Sequence, residues 1–390
     1  MKNSAIKHAH DDRPLAHLGG LSARKFLRDY WQKKPLLIRR AFPHFNDPLD
    51  KKAVLALASR DDAESRLIAN DGSRWRMMHG PLSRRDFTSV KEAKWTVLIQ
   101  DTQHFCRAAH DLLAQFNFIP HARIDDLMVS FAVPGAGVGA HFDSYDVFLL
   151  QGAGTRRWRV SAQTDLRLKP GMPLKILARF KPEQEYILET GDMLYLPPGF
   201  AHDGIAETES LTWSIGFRAP SAQELSVAML DYLRDEIAFE GEYHDPDLAP
   251  TRNPGSIDAA MAGKVTTLLI NMRAAAGDAA HIKRCLGRML TEPKPHVFFE
   301  SPDPALTTTR FRARALSHGV ELDLKSRLLY DIDLFYFNGA AMEATPFDTM
   351  YLRQLADTRR LPAGVLALIA ESSLLTTLFD AYREGWLRLA

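Results

Sequence analysis

Residues 125–160, DDLMVSFAVPGAGVGAHFDSYDVFLLQGAGTRRWRV, contain the pattern of strands and turns that decides the fold. Short apolar stretches such as LMVSFAVP, DVFLLQG and TRRWRVS alternate with the turns PGAGVGA and GAG. The pattern continues to residue 218 through PLKILARF, EYILETG, DMLYLPP and SLTWSIGF, each of which predicts a strand. Many short antiparallel strands with such turns indicate a double-stranded jelly roll or a barrel.

Within this strand-rich region, His141 and Asp143 lie two residues apart. On a strand, side chains at i and i+2 share a face, so both are expected to point into the barrel. His202, which follows the turn at 197–199, offers a third ligand. Such a pair alone also occurs by chance on protein surfaces, but two histidines and one carboxylate together are typical of the facial triad of non-haem Fe(II) oxygenases. Iron is favoured over zinc because catalytic zinc sites more often keep one open position.

The stretch GTRRWRV places an arginine where a co-substrate can be held. If it is a strand, Arg156, Trp158 and Val160 share one face, while Arg157 and Arg159 share the other. A guanidinium can hold a carboxylate with two hydrogen bonds, as the distal carboxylate of 2-oxoglutarate requires. The alternative is a solvated basic edge strand, which suits Arg157 and Arg159 better than Arg156.

Other polar residues near these positions have two interpretations each. The Ser130 hydroxyl either assists the same carboxylate or belongs to a plain core serine. Tyr145, Asp146 and Asp203 are candidates for substrate contacts, or they are turn residues and carboxylates that orient a ligating histidine. The loop at 134–140 lacks the Lys and Ser/Thr of a phosphate-binding loop and runs into a strand, so that class of site is excluded.

The flanking regions contain predicted helices. Before the strand-rich region, helices are expected near 21–33, 51–59 and 103–116, with strands at 36–39, 66–70, 74–79 and 95–100. After Pro220, apolar residues at helical spacing predict helices in 221–239, 257–278 and 279–292, suited to dimerisation or to packing within one chain. The chain after 293 predicts a small winged-helix-like module. The fold class is therefore α+β, with domains at 1–220, 221–292 and 293–390.

Composition excludes several classes of protein. The 390 residues are 46% hydrophobic and 25% charged, which excludes general disorder. With 49 Lys and Arg against 48 Asp and Glu, the net charge is +1, so any basic surface has to be local. Two widely separated cysteines, Cys106 and Cys285, fit neither a disulfide framework nor a thiolate metal site. No apolar signal or membrane span is present, so a cytoplasmic protein is expected.

The quoted region 125–160, together with GDMLYLPPGFAHDG and the early FLRDYWQKKPLLIRRAF, resembles the bacterial Jumonji-C ribosomal oxygenases of the cupin superfamily. The resemblance covers the whole chain: a Jumonji-C jelly roll, a helical dimerisation segment and a winged helix. It implies hydroxylation of an arginine of large-subunit ribosomal protein sixteen at its 3-position.

By this resemblance, His141, Asp143 and His202 bind Fe(II), while Arg156 holds 2-oxoglutarate with Ser130 as a helper. Dioxygen is the second co-substrate. The chemistry is oxidative decarboxylation of 2-oxoglutarate to succinate, coupled to hydroxylation of the substrate. A homodimer acting on a ribosomal protein is implied.

Two rival functions share some of these features. The first keeps the same chemistry and nearly the same barrel but acts on a histidine of another ribosomal protein. A non-catalytic metal-binding cupin would act as a scaffold, or as a nucleic-acid-binding regulator through its C-terminal module. That module has arginines in RFRARALSHGVELDLKSRLL, but acidic residues follow closely, so protein packing is favoured over direct nucleic-acid binding.

Overall fold

The computed structural model describes residues 12–72, 74–257, 259–369 and 372–390. Residues 1–11, on which the expected absence of an export signal depends, lie outside them. The chain divides into two compact units, Met1–Ala219 with Pro295–Phe298, and Pro220–Lys294 with Phe299–Ala390. The three-domain division at 220 and 292 stays a prediction. Among the described residues, no helix has the length and apolar character needed to span a bilayer.

The first unit is built mainly from short strands. They are β1 (Leu36–Ile38), β2 (Ser65–Asn70), β3 (Trp75–His79), β4 (Lys94–Ile99), β5 (Ile124–Ala132), β6 (Asp146–Ala153), β7 (Arg156–Ser161), β8 (Gln184–Leu188), β9 (Met193–Leu196), β10 (Ala201–Ala206) and β11 (Ser210–Phe217). Its helices are α1 (Ala23–Asp29), α2 (Lys51–Ala58), α3 (Arg84–Ser89) and α4 (Arg107–Ala114). Short 3-10 turns lie at Ala16–Leu18, Thr102–His104 and His121–Arg123.

These strands form two antiparallel sheets. The large sheet has the order β1-β9-β6-β11-β5-β4-β2-β3, and the small sheet has the order β10-β7-β8. In the region 125–218 the chain crosses repeatedly between the sheets: β5 and β6 lie in the large sheet, β7 and β8 in the small one, and β9, β10 and β11 lie in the large, the small and the large sheet in turn. Repeated crossing between two facing antiparallel sheets is typical of a double-stranded jelly roll. The predicted jelly roll is therefore confirmed.

Strand β6 shows why this region is apolar almost without interruption. Phe148 and Leu150 belong to the core that includes Phe116 under the helices. Val147 and Leu149 belong to a separate core between the two sheets, together with Trp158 and Val160. Because successive side chains point to opposite faces, a strand covered on both faces needs apolar residues at every position.

Three details of the predicted strands are wrong. The stretch PLKILARF at 173–180 is a loop with one isolated bridge, Leu168 to Leu177. Pro170 and Pro173 lack the N–H that a ladder needs. His141 and Asp143 do not lie on a strand: His141 forms only an isolated bridge, residues 142–143 are irregular, and residues 144–145 form a bend. The turn before His202 leads directly into β10, a strand that the sequence analysis did not predict.

The second unit contains eight helices among its described residues, α5 to α12. They are α5 (Ala222–Glu236), α6 (Ala259–Leu268), α7 (Ile270–Gly277), α8 (Ala279–Thr291), α9 (Thr308–His318), α10 (Pro346–Thr358), α11 (Ala363–Leu368) and α12 (Leu374–Arg383). The helix predicted at 257–278 is interrupted at Leu269. Two three-stranded sheets complete the unit, β16-β12-β17 and β13-β14-β15. Their strands are β12 (Val320–Leu322), β13 (Leu328–Tyr330), β14 (Phe335–Phe337), β15 (Ala340–Met342), β16 (Arg360–Leu361) and β17 (Leu387–Leu389).

Candidate metal and co-substrate site

The three predicted metal ligands converge inside the jelly roll. One ligand atom from each of His141, Asp143 and His202 lies within 4.8 Å of the other two. His141 and His202 exchange both backbone hydrogen bonds, at 2.9 and 2.8 Å. This pairing brings the imidazole ring centroids to 4.2 Å. The carboxylate Oδ2 of Asp143 is 3.6 Å from Nε2 of His202.

In both histidines the ring atom Nδ1 is hydrogen-bonded, which leaves Nε2 free. Nδ1 of His141 lies 2.8 Å from the carbonyl of Gly139, and Nδ1 of His202 lies 2.9 Å from that of Phe200. A carbonyl only accepts, so both Nδ1 atoms carry the proton and both Nε2 lone pairs are available to a metal. Burial, together with the nearby His141, lowers the pKa of His202 to about 4. The ring is therefore neutral near pH 7, the form that binds metal.

The glycine-rich loop before His141 owes its composition to a close approach of two backbones. A Cβ on Gly137 would lie 2.3 Å from the carbonyl oxygen of Gly204 in β10. Just before Gly137, Gly135 donates to the carbonyl of Ala206 at 2.7 Å, and Ala206 donates to that of Ala136 at 2.9 Å. The loop is thereby joined along β10, and this contact sets the position of the first ligand.

Arg156 is a buried cation with no anionic partner among the described residues. It is 6% exposed, and its side chain reaches only the hydroxyls of Ser130 and Ser210, both at 3.4 Å. Its Nε has no hydrogen-bond partner. Burial lowers the pKa of the guanidinium to about 10, so it stays charged at neutral pH. A buried charge in this state is costly unless a ligand supplies the anion.

The register of the small sheet places Trp158 between the metal ligands and this arginine. His202 pairs with Val160, Gly204 with Trp158, and Ala206 with Arg156. The Trp158 ring lies 5.9 Å from the His202 ring and 5.8 Å from the guanidinium carbon. Its Nε1 is buried without a hydrogen-bond partner. A Cβ on Gly204 would lie 2.6 Å from the indole, so this glycine makes room for it.

The donor set fits a divalent metal and a dicarboxylate. Two neutral imidazoles and one carboxylate match the 2-His-1-carboxylate set of non-haem Fe(II) enzymes. Arg156 Nε and Trp158 Nε1 find no hydrogen-bond acceptor among the described residues, and an oxygen-rich co-substrate would supply one. The assignment of the three ligands, of Arg156 and of Ser130 stays a prediction that this geometry supports.

The three candidate substrate residues lie in different surroundings. Asp146 is fully buried and accepts hydrogen bonds from the Tyr195 hydroxyl at 2.6 Å and from Gln32 at 2.9 Å, so it is a structural residue. Asp203 forms an ion pair with Arg159. Burial, with smaller contributions from Asp143 and two further aspartates, raises the pKa of Tyr145, so it remains a neutral phenol beside the metal ligands.

Two residues of this site were missed in the sequence analysis. Ser210 is the first residue of β11, and nothing in its local sequence indicates a role. Its contact with Arg156 arises only because β7 faces the large sheet in the folded protein. Trp158 was assigned to the same strand face as Arg156 but was given no role. The alternation Arg156, Trp158, Val160 was the signal, because all three are buried while Arg157 and Arg159 are partly exposed.

Comparisons with known families agree with this architecture. Residues 111–225 match the family model described as JmjC domain, and residues 273–388 match the model described as ROXA-like winged helix. Residues 111–225 include all five predicted site residues. The fold and the site thus define a JmjC-domain protein with a C-terminal winged helix.

Similarity to individual proteins defines the class of this chain more closely. The chain is 35% identical over 282 residues to the ribosomal protein uL16 3-hydroxylase of Escherichia coli (strain K12), covering 72% of this chain and 74% of that one. A probable ribosomal oxygenase of Haemophilus influenzae (strain ATCC 51907 / DSM 11121 / KW20 / Rd) is 39% identical over 230 residues, covering 57% and 54%. The E. coli ribosomal oxygenase YcfD in complex with cobalt and 2-oxoglutarate superimposes with a TM-score of 0.80 at 30% identity, covering 94% of this chain and 98% of that one. The chain belongs to the ribosomal oxygenase family.

Proposed function

We propose that this protein is an Fe(II)- and 2-oxoglutarate-dependent oxygenase that hydroxylates an arginine side chain of ribosomal protein uL16 at C3. The observation that carries the proposal is Arg156, a buried guanidinium without an anion in the same barrel as the three converging ligands. A scaffold protein gains nothing from that arrangement, whereas a 2-oxoglutarate-dependent enzyme requires it. The relationship to the E. coli uL16 3-hydroxylase supports the choice of substrate.

The residues of the chain have separate tasks in this reaction. His141, Asp143 and His202 hold the metal on one face. Arg156, with the Ser130 hydroxyl, binds the distal carboxylate and so fixes the direction in which the co-substrate reaches the metal. Bound Fe(II), with 2-oxoglutarate and dioxygen, supplies the oxidising power that inserts one oxygen atom into a C–H bond. The apolar core between the sheets keeps water from this side of the pocket.

Acidic groups beside the ligands suit an arginine substrate. Tyr145 lies in the electrostatic field of Asp143, Asp126 and Asp125, which the cation Arg66 offsets only in part. A Cβ on Gly216 would lie 3.1 Å from Asp126 Oδ1 and 3.6 Å from the Tyr145 ring, so the carboxylate and the ring flank the same glycine. A carboxylate next to an aromatic ring can bind a guanidinium through an ion pair and a cation–π contact. A neutral histidine substrate gains much less from this charge.

The test is mass spectrometry of isolated uL16 after reaction with the Fe(II)-loaded enzyme, oxygen and 2-oxoglutarate. A gain of one oxygen, located on an arginine by fragmentation, is expected. The Asp126→Asn variant should weaken uL16 binding while succinate formation without uL16 stays unchanged. Hydroxylation on a histidine would favour the rival substrate, and absence of succinate under verified iron loading would favour the scaffold.

The helical segment of the second unit supports a homodimer. Apolar side chains on α5 to α8 are exposed in the single chain: Leu225, Val227, Leu230, Met261, Val265, Ile270, Ile282 and Leu286. A soluble protein rarely leaves so many on one segment unless another surface covers them. Light scattering should give twice the chain mass, and Leu230→Glu should shift it toward a monomer. A ribosomal substrate supports a cytoplasmic location for this dimer.

A further inference from the structure

The loop between β7 and β8, residues 162–183, is basic and follows the strand that contains Arg156, and we name it the basic loop. It contains five cations and two acidic residues, a net charge of +3 in a chain whose total is +1. All five cationic side chains are exposed. They are Arg167, Lys169, Lys175, Arg179 and Lys181.

Neither acidic residue neutralises this charge in full. Asp165 forms an ion pair with Arg167 at 2.8 Å, and Glu183 accepts the backbone N–H of Ala162 at 3.0 Å. Within the described parts of the chain, Lys169, Lys175 and Lys181 form no ion pair. Surface cations are usually balanced by neighbours of opposite sign, so an uncompensated group of them indicates an anionic partner.

The basic loop is held in one conformation. Leu168 and Leu177 form a bridge, flanked by hydrogen bonds from Lys169 to the carbonyl of Ile176 and from Ala178 to that of Arg167, both 2.8 Å. Ile176 and Leu177 are buried, which anchors the loop from below. The backbone positions of the cations are therefore fixed, and a partner gains affinity because little backbone conformational entropy is lost on binding.

The basic loop borders the metal site directly. The backbone N–H of Leu177 donates to the carbonyl of Ala140 at 2.8 Å, and Ala140 precedes His141. A Cβ on Gly139 would lie 3.4 Å from the Ile176 side chain. Whatever binds the cations thus lies beside the substrate that enters the site.

This charge is opposite to what a cationic protein substrate needs. The acidic residues around Tyr145 suit an arginine, whereas the basic loop repels the rest of a basic polypeptide. Ribosomal proteins are basic because they pack against RNA phosphates. We propose that the basic loop binds the phosphate backbone of RNA on which the substrate protein is already seated, an inference that rests on the proposed function. The enzyme would then act on a protein–RNA assembly in preference to the free protein.

The first test measures RNA binding without turnover. A labelled 20-nucleotide single-stranded RNA is titrated with the full-length protein at several salt concentrations. Each phosphate contact contributes about 0.7 to the slope of log affinity against log salt, so Lys169→Gln/Lys175→Gln/Lys181→Gln should lower that slope by about 2. The matched control Lys25→Gln/Lys52→Gln/Lys91→Gln removes three exposed lysines from elsewhere and should leave the slope unchanged. Equal slopes for the loop variant and the wild type would overturn the proposal.

The second test compares two substrates for the metal-loaded enzyme: isolated uL16, and uL16 bound to its ribosomal RNA fragment. The loop variant should lose at least about tenfold in kcat/KM on the RNA-bound substrate and nothing on the isolated protein. An equal loss on both substrates would assign the loop to protein docking and overturn the proposal. A raised KM for 2-oxoglutarate would assign it to steering of the co-substrate and would also overturn the proposal. If the wild type hydroxylates neither substrate, the proposed function fails, while the salt dependence still decides the role of the loop.

Discussion

The two ends of the barrel hold their polar groups in opposite ways. At the metal end, each imidazole already has one nitrogen bonded to a carbonyl two residues earlier in the chain. At the other end, Arg156 has only two long contacts to hydroxyls and an unpaired Nε. The metal end is oriented before any ligand arrives, whereas the arginine end is completed only by an anion. This difference is what the proposed function expects of a site for a resident metal and a site for a co-substrate that is consumed in each turnover.

Removing a ligand at the metal end should have the largest effect. The Asp143→Ala variant should lose at least about 100-fold in turnover, since residues that merely orient ligands already cost 10 to 100-fold. Product formation is followed by mass spectrometry, with Asp111→Ala, an exposed carboxylate on α4, as the control. Full activity of Asp143→Ala would remove this carboxylate from the site.

Replacing Arg156 should weaken the binding of 2-oxoglutarate without lowering the thermal stability of the protein. In Arg156→Met the ion pair with 2-oxoglutarate is lost, and a loss of about 2 to 5 kcal/mol corresponds to at least a 30-fold rise in the KM for 2-oxoglutarate. Without co-substrate, the variant should melt no lower than the wild type, because a buried unpaired cation has been removed. A thermal melt and a 2-oxoglutarate titration test both claims, and an unchanged KM contradicts the assignment.

The two serines should have smaller and similar effects. Ser130→Ala and Ser210→Ala each remove one hydroxyl that contacts the guanidinium, so each should raise the KM for 2-oxoglutarate by about 2- to 10-fold. The kcat at saturating co-substrate should stay the same. If only Ser130→Ala has an effect, Ser210 is a core serine with no part in co-substrate binding.

A buried histidine outside the metal site, His17, gives the smallest expected effect. Nε2 of His17 has no partner, its ring packs against Phe42 and Phe116, and burial lowers its pKa. The unfolded chain therefore binds a proton below about pH 6.5 that the folded chain does not, and stability falls as the pH drops through that value. Between pH 7.5 and 5.5, the free energy of unfolding should therefore fall less in His17→Leu than in the wild type, as measured by urea denaturation. An identical pH dependence would show that other groups cause it.

The jelly roll and the residues of the site were predictable because their signals are local. The apolar strands are bounded by glycine and proline turns, and the ligands lie in short motifs near these turns. What was missed depends on contacts between distant segments. The extended backbone at His141 exists because β10 pairs with it, and β10 itself contains Gly204 where a side chain would be expected. The stretch at 173–180 has the apolar content of a strand, but Pro170 and Pro173 limit its pairing to one isolated bridge.

The double burial of β6 has a consequence for how its alignment is specified. Both faces of β6 carry apolar residues. A shift of its pairing by one residue would exchange one apolar face for the other, so the hydrophobic effect alone would oppose the shift only weakly. The two ends of the strand resist it: Asp146 is bonded to Tyr195 at the start, and Gln151 accepts from the Thr212 hydroxyl at 3.1 Å near the end. A slip would leave a buried carboxylate and a buried amide unpaired. These two polar residues therefore fix the register of the strand through their hydrogen bonds.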